Sequence, residues 1–119
     1  MNALRYAPYH AKLNRRRGEV VKTLEYLRQE QRIVAENREW IDDRAFESRR
    51  ALLDGLAQWY IDEAARIDAA LMRIRDGGYG KCLDCGKPIA PPRLEAAPEV
   101  PFCADCQPPE DRSSKARSH

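Results

Sequence analysis

Apolar side chains recur every seven residues along two separate stretches of the chain. Leu13, Val20, Leu27, Val34 and Ile41 form the first series, with Leu24 at an intervening seam position, and the residues around them are largely Arg, Lys, Glu and Gln. Phe46, Leu53, Tyr60, Ile67 and Ile74 form the second, joined by Leu56, Ala64 and Leu71. A seven-residue repeat keeps one narrow stripe on an α-helix, so each series predicts one long helix. From Ile41 to Phe46 the step is five residues, which at about 100° per residue turns the second stripe roughly 140° from the first. The two stripes cannot share one straight helix face. Folding back buries both, as an antiparallel coiled-coil hairpin; the alternative is one kinked helix paired with another subunit. The turn falls at ENREWIDDRAFE, residues 36 to 47, where Asp42 or Asp43 can cap the second helix by accepting hydrogen bonds from its free N–H groups. Gly18 is expected to interrupt the first helix near its start, and Gly77-Gly78 to end the second.

Beyond Gly78 the periodicity stops. From Lys81 to Gln107 the chain reads KCLDCGKPIAPPRLEAAPEVPFCADCQ and holds all 4 cysteines, as two Cys-x-x-Cys pairs with seventeen residues between them. Each such turn offers two thiolates from one tight loop, and two turns complete the tetrahedral shell that Zn²⁺ prefers. Cys82, Cys85, Cys103 and Cys106 are therefore the expected ligands of one structural zinc per chain, with Gly86 suited to the unusual backbone angles of a metal-binding turn. Two disulfides, a thioredoxin-like redox pair and a rubredoxin-like iron site are the alternatives. A shell filled by thiolates leaves no position for a catalytic water, so the metal acts as a staple. His10 and His119 lie far from the cluster in sequence and are expected to be solvated. Ile89, Leu94, Val100 and Phe102 form a small supporting cluster, while Pro91, Pro92, Pro98 and Pro101 are expected to allow no more than a helical turn around Arg93 to Ala96. The last stretch, QPPEDRSSKARSH, lacks large apolar side chains and is expected to be disordered.

Composition narrows the function classes. Charged residues make up 34% of the 119 residues and aromatic ones 8%, too few large side chains for a sizeable globular core but suitable for long solvated helices. The expected fold is mainly α: a helical hairpin over residues 1–78, a four-cysteine zinc module over 79–107 and a tail over 108–119. A formal charge of +2 gives no strong footprint for wrapping nucleic acid. The sequence has no run of eighteen apolar residues and no pattern of a secretory leader, so a soluble cytoplasmic protein is expected; that compartment disfavours structural disulfides. No nucleophile with a positioned base and no glycine-rich phosphate loop is visible, which argues against an enzyme. Function would then sit at the turn, where Trp40, Asp42, Asp43, Arg44 and Phe46 cluster. The plainer reading makes the acids helix caps, Arg44 a solvated side chain and Trp40 a cover for the hairpin end. Two rival functions are a nucleic-acid-binding zinc protein, using NRRRG at residues 14 to 18 with Lys12 and Lys22, and a redox-sensing protein whose thiolates cycle.

The segment GGYGKCLDCGKPIAPPRLEAAPEVPFCADCQ resembles the four-cysteine zinc finger of the DksA/TraR family of bacterial transcription regulators, in the approach to the first cysteine and in RLEA between the pairs. The resemblance implies a coiled-coil finger that enters the secondary channel of RNA polymerase. There an Asp-x-x-Asp-Arg-Ala tip lies near the catalytic centre and changes promoter-complex stability without direct DNA binding. Asp43, Arg44 and Ala45 match the end of that motif; its first Asp is replaced by Trp40, and Asp42 stands next to the matching triplet. Asp42, Asp43, Arg44 and Ala45 are thus the candidate functional tip, and RNA polymerase the implied partner, with no membrane and a monomeric state expected. Family members help form a site for guanosine tetraphosphate with basic residues around the zinc module. Ala97 and Gln107 stand where that pattern has positive side chains, so weak potentiation by the nucleotide is expected.

Overall fold

The structure is a computed structural model that describes residues 3 to 107; the expected disordered tail and His119 lie outside the described residues. A 3₁₀ helix at Ala3–Tyr6 runs into α1 (Ala7–Glu36), a 3₁₀ turn follows at Arg38–Trp40, and α2 spans Asp43–Asp76. A short α3 (Pro91–Ala96) and a 3₁₀ turn at Ala104–Cys106 complete the described elements. Lys81 and Pro88 form one isolated antiparallel bridge. The described residues fall into two compact units, one of Asn14–Asp68 and one joining residues up to Leu13 with those from Ala69 onward.

In the Asn14–Asp68 unit the two helices run antiparallel. Leu27 and Val34 of α1 are buried with Leu53 and Ala57 of α2, and Leu24, Phe46 and Tyr60 pack against them. Arg16 meets Glu63 while Gln31 meets Asp54, so numbers rise along one helix as they fall along the other. This is the hairpin, not the continuous kinked helix. Ala57, outside the seven-residue series, is 3% exposed; a methyl at that seam position lets the helices approach closely.

Gly18 does not interrupt the first helix. α1 passes through it without a break, and a Cβ placed there would meet nothing within 4 Å. Its helix-propensity cost of about 1 kcal/mol is offset by the burial of apolar side chains on the same helix, Val20 two residues on among them. The turn manages without Gly or Pro because Asn37 closes α1: its backbone N–H and its Nδ2 both donate to the Ile33 carbonyl, at 3.1 and 2.8 Å. Ile41, in extended backbone at φ −119° and ψ 134°, then carries the chain to α2.

In the other unit α2 ends at Gly77, whose φ of 91° is the left-handed conformation that suits glycine. The Gly78 and Tyr79 N–H groups both donate back to the Arg73 carbonyl, at 2.9 and 3.2 Å. Tyr79 is 1% exposed, edge-on to Tyr6 at 5.0 Å, and its hydroxyl donates to the Pro98 carbonyl at 2.8 Å. Ile89 and Leu94 are buried as expected, whereas Val100 and Phe102 are half-buried. The prolines at 91 and 92 do not break the short helix but begin it: the fixed φ of proline suits the first helical turn, where its missing N–H has no partner to lose.

Candidate functional site

The four cysteines converge. Their Sγ atoms all lie within 4.8 Å of one another, and Cys85 and Cys103 are 3.7 Å apart. A tetrahedron of sulfurs about 2.3 Å from a zinc ion has edges of about 3.8 Å, so the set fits one metal. All four cysteines are free, as a metal shell requires. Local backbone geometry explains the convergence. The Gly86 N–H donates to the Cys82 carbonyl at 2.9 Å and the Cys82 N–H to the Lys87 carbonyl at 2.9 Å, closing a tight knuckle that Gly86 completes at φ 77°. The second knuckle is the turn at Ala104–Cys106, with the Cys106 N–H donating to the Cys103 carbonyl at 3.1 Å. The Leu83 N–H donates to the Pro101 carbonyl at 2.9 Å, tying the two together.

Electrostatics prepare this cluster for a cation. Burial pushes the Cys82 thiol up, but the backbone N–H groups of Cys85, Cys103 and Asp84 outweigh it and bring the thiol down to about 6. Cys106 is pushed the other way, first by the sulfur of Cys103 and then by burial. Four crowded sulfurs cannot all ionise without a positive charge among them, and zinc supplies it.

The support for the cluster includes residues that the heptads and cysteine spacing do not reveal. Arg93 Nε donates to the Phe102 carbonyl at 3.0 Å and Lys12 Nζ to the Glu95 carbonyl at 2.7 Å. Tyr79 stands just before the first knuckle, within the GGYG approach to the first cysteine. Gly80, at φ 86°, has no room for a side chain, since a Cβ would lie 2.9 Å from the Tyr6 hydroxyl.

The turn in the other unit brings Asp42, Asp43, Arg44 and Ala45 together at the start of α2, all four exposed. Asp42 is the cap: its Oδ1 accepts the Ala45 N–H at 2.9 Å, and its carbonyl accepts the Phe46 N–H at 2.9 Å. Asp43 pairs with Arg38 at 2.6 Å, and that guanidinium lies over the Phe46 ring, 4.2 Å from its centre. Trp40 is 83% exposed, so it does not cover the hairpin end.

One unit is a helical hairpin and the other is built on a closed four-thiolate knuckle pair, which together define a small zinc-stapled α-protein. Residues 77–112 match the prokaryotic dksA/traR C4-type zinc finger, and the chain is a DksA/TraR-like C4 zinc-finger protein with one structural zinc. An uncharacterized protein of Aquifex aeolicus is 39% identical over 79 residues, 66% of this chain and 54% of that one. The RNA polymerase-binding transcription factor DksA of Caulobacter vibrioides is 39% identical over 51 residues, 43% of this chain and 36% of the relative. The matched stretches thus span 54% and 36% of the lengths of these relatives. The solved structure of transcription factor DksA2 from Pseudomonas aeruginosa is similar over 93% of this chain and 84% of that one, with a TM-score of 0.72 and 27% identity. Among the described residues no helix is long and apolar enough to cross a membrane.

Proposed function

We propose that this chain is a cytoplasmic bacterial transcription regulator that binds RNA polymerase. It enters the secondary channel with its helical hairpin and alters promoter-complex stability from the turn, without catalysing a reaction and without binding DNA directly. The observation that carries this reading is the likeness to a transcription factor over nearly the whole chain, combined with an Asp-Arg-Ala triplet exposed at the hairpin turn. A pair of helices has a narrow cross-section, so it threads a pore that a globular domain cannot. A carboxylate at its end, Asp43, perturbs a centre that works through Mg²⁺ and mobile elements. The mechanism is a population shift: a hairpin that binds one polymerase state more tightly than another by about 1–3 kcal/mol changes their ratio roughly 5- to 150-fold. Asp42 serves the fold as a cap, and Arg44 and Ala45 contact the polymerase. Potentiation by guanosine tetraphosphate is weak, because Ala97 carries no charge and Gln107 is buried.

The test is a pull-down with purified RNA polymerase, followed by crosslinking from a photoreactive group placed at position 44. Crosslinks within the secondary channel are expected. Crosslinks confined to the outer surface of the enzyme, or no complex at all, would defeat the proposal.

A further inference from the structure

The turn of the hairpin carries more apolar surface than its closure needs. Asn37 closes α1 on the Ile33 carbonyl and Asp42 caps α2 on the Ala45 N–H, while the seam beneath is filled by Leu27, Val34, Leu53 and Ala57. Ile33 nevertheless stands 42% exposed and Trp40 83%. Ile41, the last member of the first seven-residue series, lies beyond the end of α1 in extended backbone and takes no part in the seam cluster. These side chains are not scattered singly. They line one hollow of about 480 Å³, with the buried Val34 among its walls. Residues 33 and 37 of α1, and 45 and 49 of α2, also line it, each pair one helical turn apart on the same side of its helix.

Charge indicates the occupant. Arg49 is the one charged residue lining the hollow, and its guanidinium has no ion-pair or hydrogen-bond partner among the described residues. Its neighbours are engaged elsewhere: Arg38 pairs with Asp43, and Arg50 with Glu47 and Asp54. A cation beside an apolar hollow suits an apolar side chain with a carboxylate close to it, which a guanidinium holds through two parallel N–H···O bonds. The volume lies within the roughly 300–1,000 Å³ of cavities that bury most of what they bind. Trp and Arg are also the side chains that most often dominate binding at protein interfaces. Ala45 both lines the hollow and belongs to the exposed Asp-Arg-Ala triplet, so the hollow is continuous with the surface through which the turn is proposed to act.

We propose that this hollow seats an apolar side chain of RNA polymerase that has an acidic residue beside it, with Ile33, Trp40 and Ile41 around the side chain and Arg49 on the carboxylate. The inference rests on the polymerase reading above and adds to it the source of affinity at the turn. Trp40 and Arg49 hold, and Asp43 acts. An acid at position 40 would repel the same carboxylate, so Trp40 in place of the first Asp of the tip motif changes what the turn can grip.

Titration of purified RNA polymerase with the zinc-loaded full-length chain reads the affinity. Trp40→Ala and Arg49→Glu should each raise the dissociation constant at least tenfold, and Arg49→Lys should lose less than Arg49→Glu. Arg66→Glu, the same reversal on an exposed arginine away from the turn, should leave it unchanged; circular dichroism checks that every variant keeps its helices. At saturating concentration Trp40→Ala should still alter promoter-complex lifetime, because Asp43 is intact, which is the converse of Asp43→Asn. A photoreactive benzophenone at position 33 should capture a polymerase peptide with Asp or Glu within a few residues of the attachment point. If the unmodified chain binds and both Trp40→Ala and Arg49→Glu bind as tightly, or if Arg66→Glu loses as much as Arg49→Glu, this inference is overturned and the polymerase reading stands. Crosslinks from position 33 to nucleic acid or to a second copy overturn it in the same way. An unmodified chain that forms no complex with polymerase overturns both.

Discussion

Asp42 Oδ1 accepts the backbone N–H of Ala45 at 2.9 Å, and that bond divides the labour between two adjacent carboxylates. Asp42 holds the first turn of α2, while Asp43, 90% exposed and paired with Arg38, is not needed for the cap. Asp42→Ala should cost about 1 kcal/mol of hairpin stability, read by urea denaturation. Asp43→Asn should cost nothing measurable, because exposed ion pairs contribute only about 0–1 kcal/mol. On the proposed function the same Asp43→Asn change removes the effect on promoter-complex lifetime while polymerase affinity stays nearly intact. An unchanged lifetime effect would rule out the role of this carboxylate.

Metal removal should act on one unit and spare the other. Zinc binding supplies on the order of 10 kcal/mol to small zinc-finger modules, and the segment after Gly78 buries few large side chains besides Tyr79, Ile89 and Leu94. Cys103→Ser, or a strong chelator, should therefore abolish order around the knuckles while most of the signal from α1 and α2 survives. Metal analysis of the unmodified chain should give one zinc. A stoichiometry near zero in reducing buffer contradicts this.

Tyr79 predicts a loss of stability in alkali. Burial first, and the neighbouring Tyr9 second, push its hydroxyl well above the ordinary tyrosine range. The folded state therefore holds the proton where the unfolded chain, titrating near 10, has released it. The stabilisation is complete below about pH 10 and falls as pH rises beyond that value. Tyr79→Phe should lose about 1 kcal/mol at neutral pH with the bond to Pro98, and its stability curve above pH 10 should be flatter. Parallel curves for the two proteins would contradict the assignment.

Two ion pairs on the same helices should differ in worth. Glu63 is only 10% exposed at 2.7 Å from Arg16, whereas Arg17 and Asp68 are each about half exposed. Glu63→Ala removes a largely buried carboxylate bonded to Arg16 and should cost about 1–3 kcal/mol. Asp68→Ala should cost about 0–1 kcal/mol. Chemical unfolding of the two variants side by side orders them, and equal costs would contradict the burial argument.

The hairpin was legible because a five-residue step between two seven-residue series cannot be met by one helix face, and the zinc cluster because two Cys-x-x-Cys turns impose their own geometry. Gly18 was misread: propensity is a small local penalty, and long-range pairing across the seam outweighs it. The prolines at 91 and 92 were misread because proline breaks a helix interior yet suits its first turn. The packing role of Tyr79 is hidden for a different reason. Its burial depends on Tyr6 and Pro98, which are distant in sequence, and no local period brings such residues together.

Both tryptophans of the chain, Trp40 and Trp59, lie in the Asn14–Asp68 unit, whereas the packed Tyr6, Tyr9 and Tyr79 lie in the other. The indole emission therefore reports on one unit alone, while the packed tyrosine cluster adds a near-ultraviolet signal from the other to that of Tyr26 and Tyr60. Indole emission follows events on the hairpin, and the near-ultraviolet dichroism of the tyrosine cluster follows the unit around the knuckles. A chelator titration should change the second signal and leave the first.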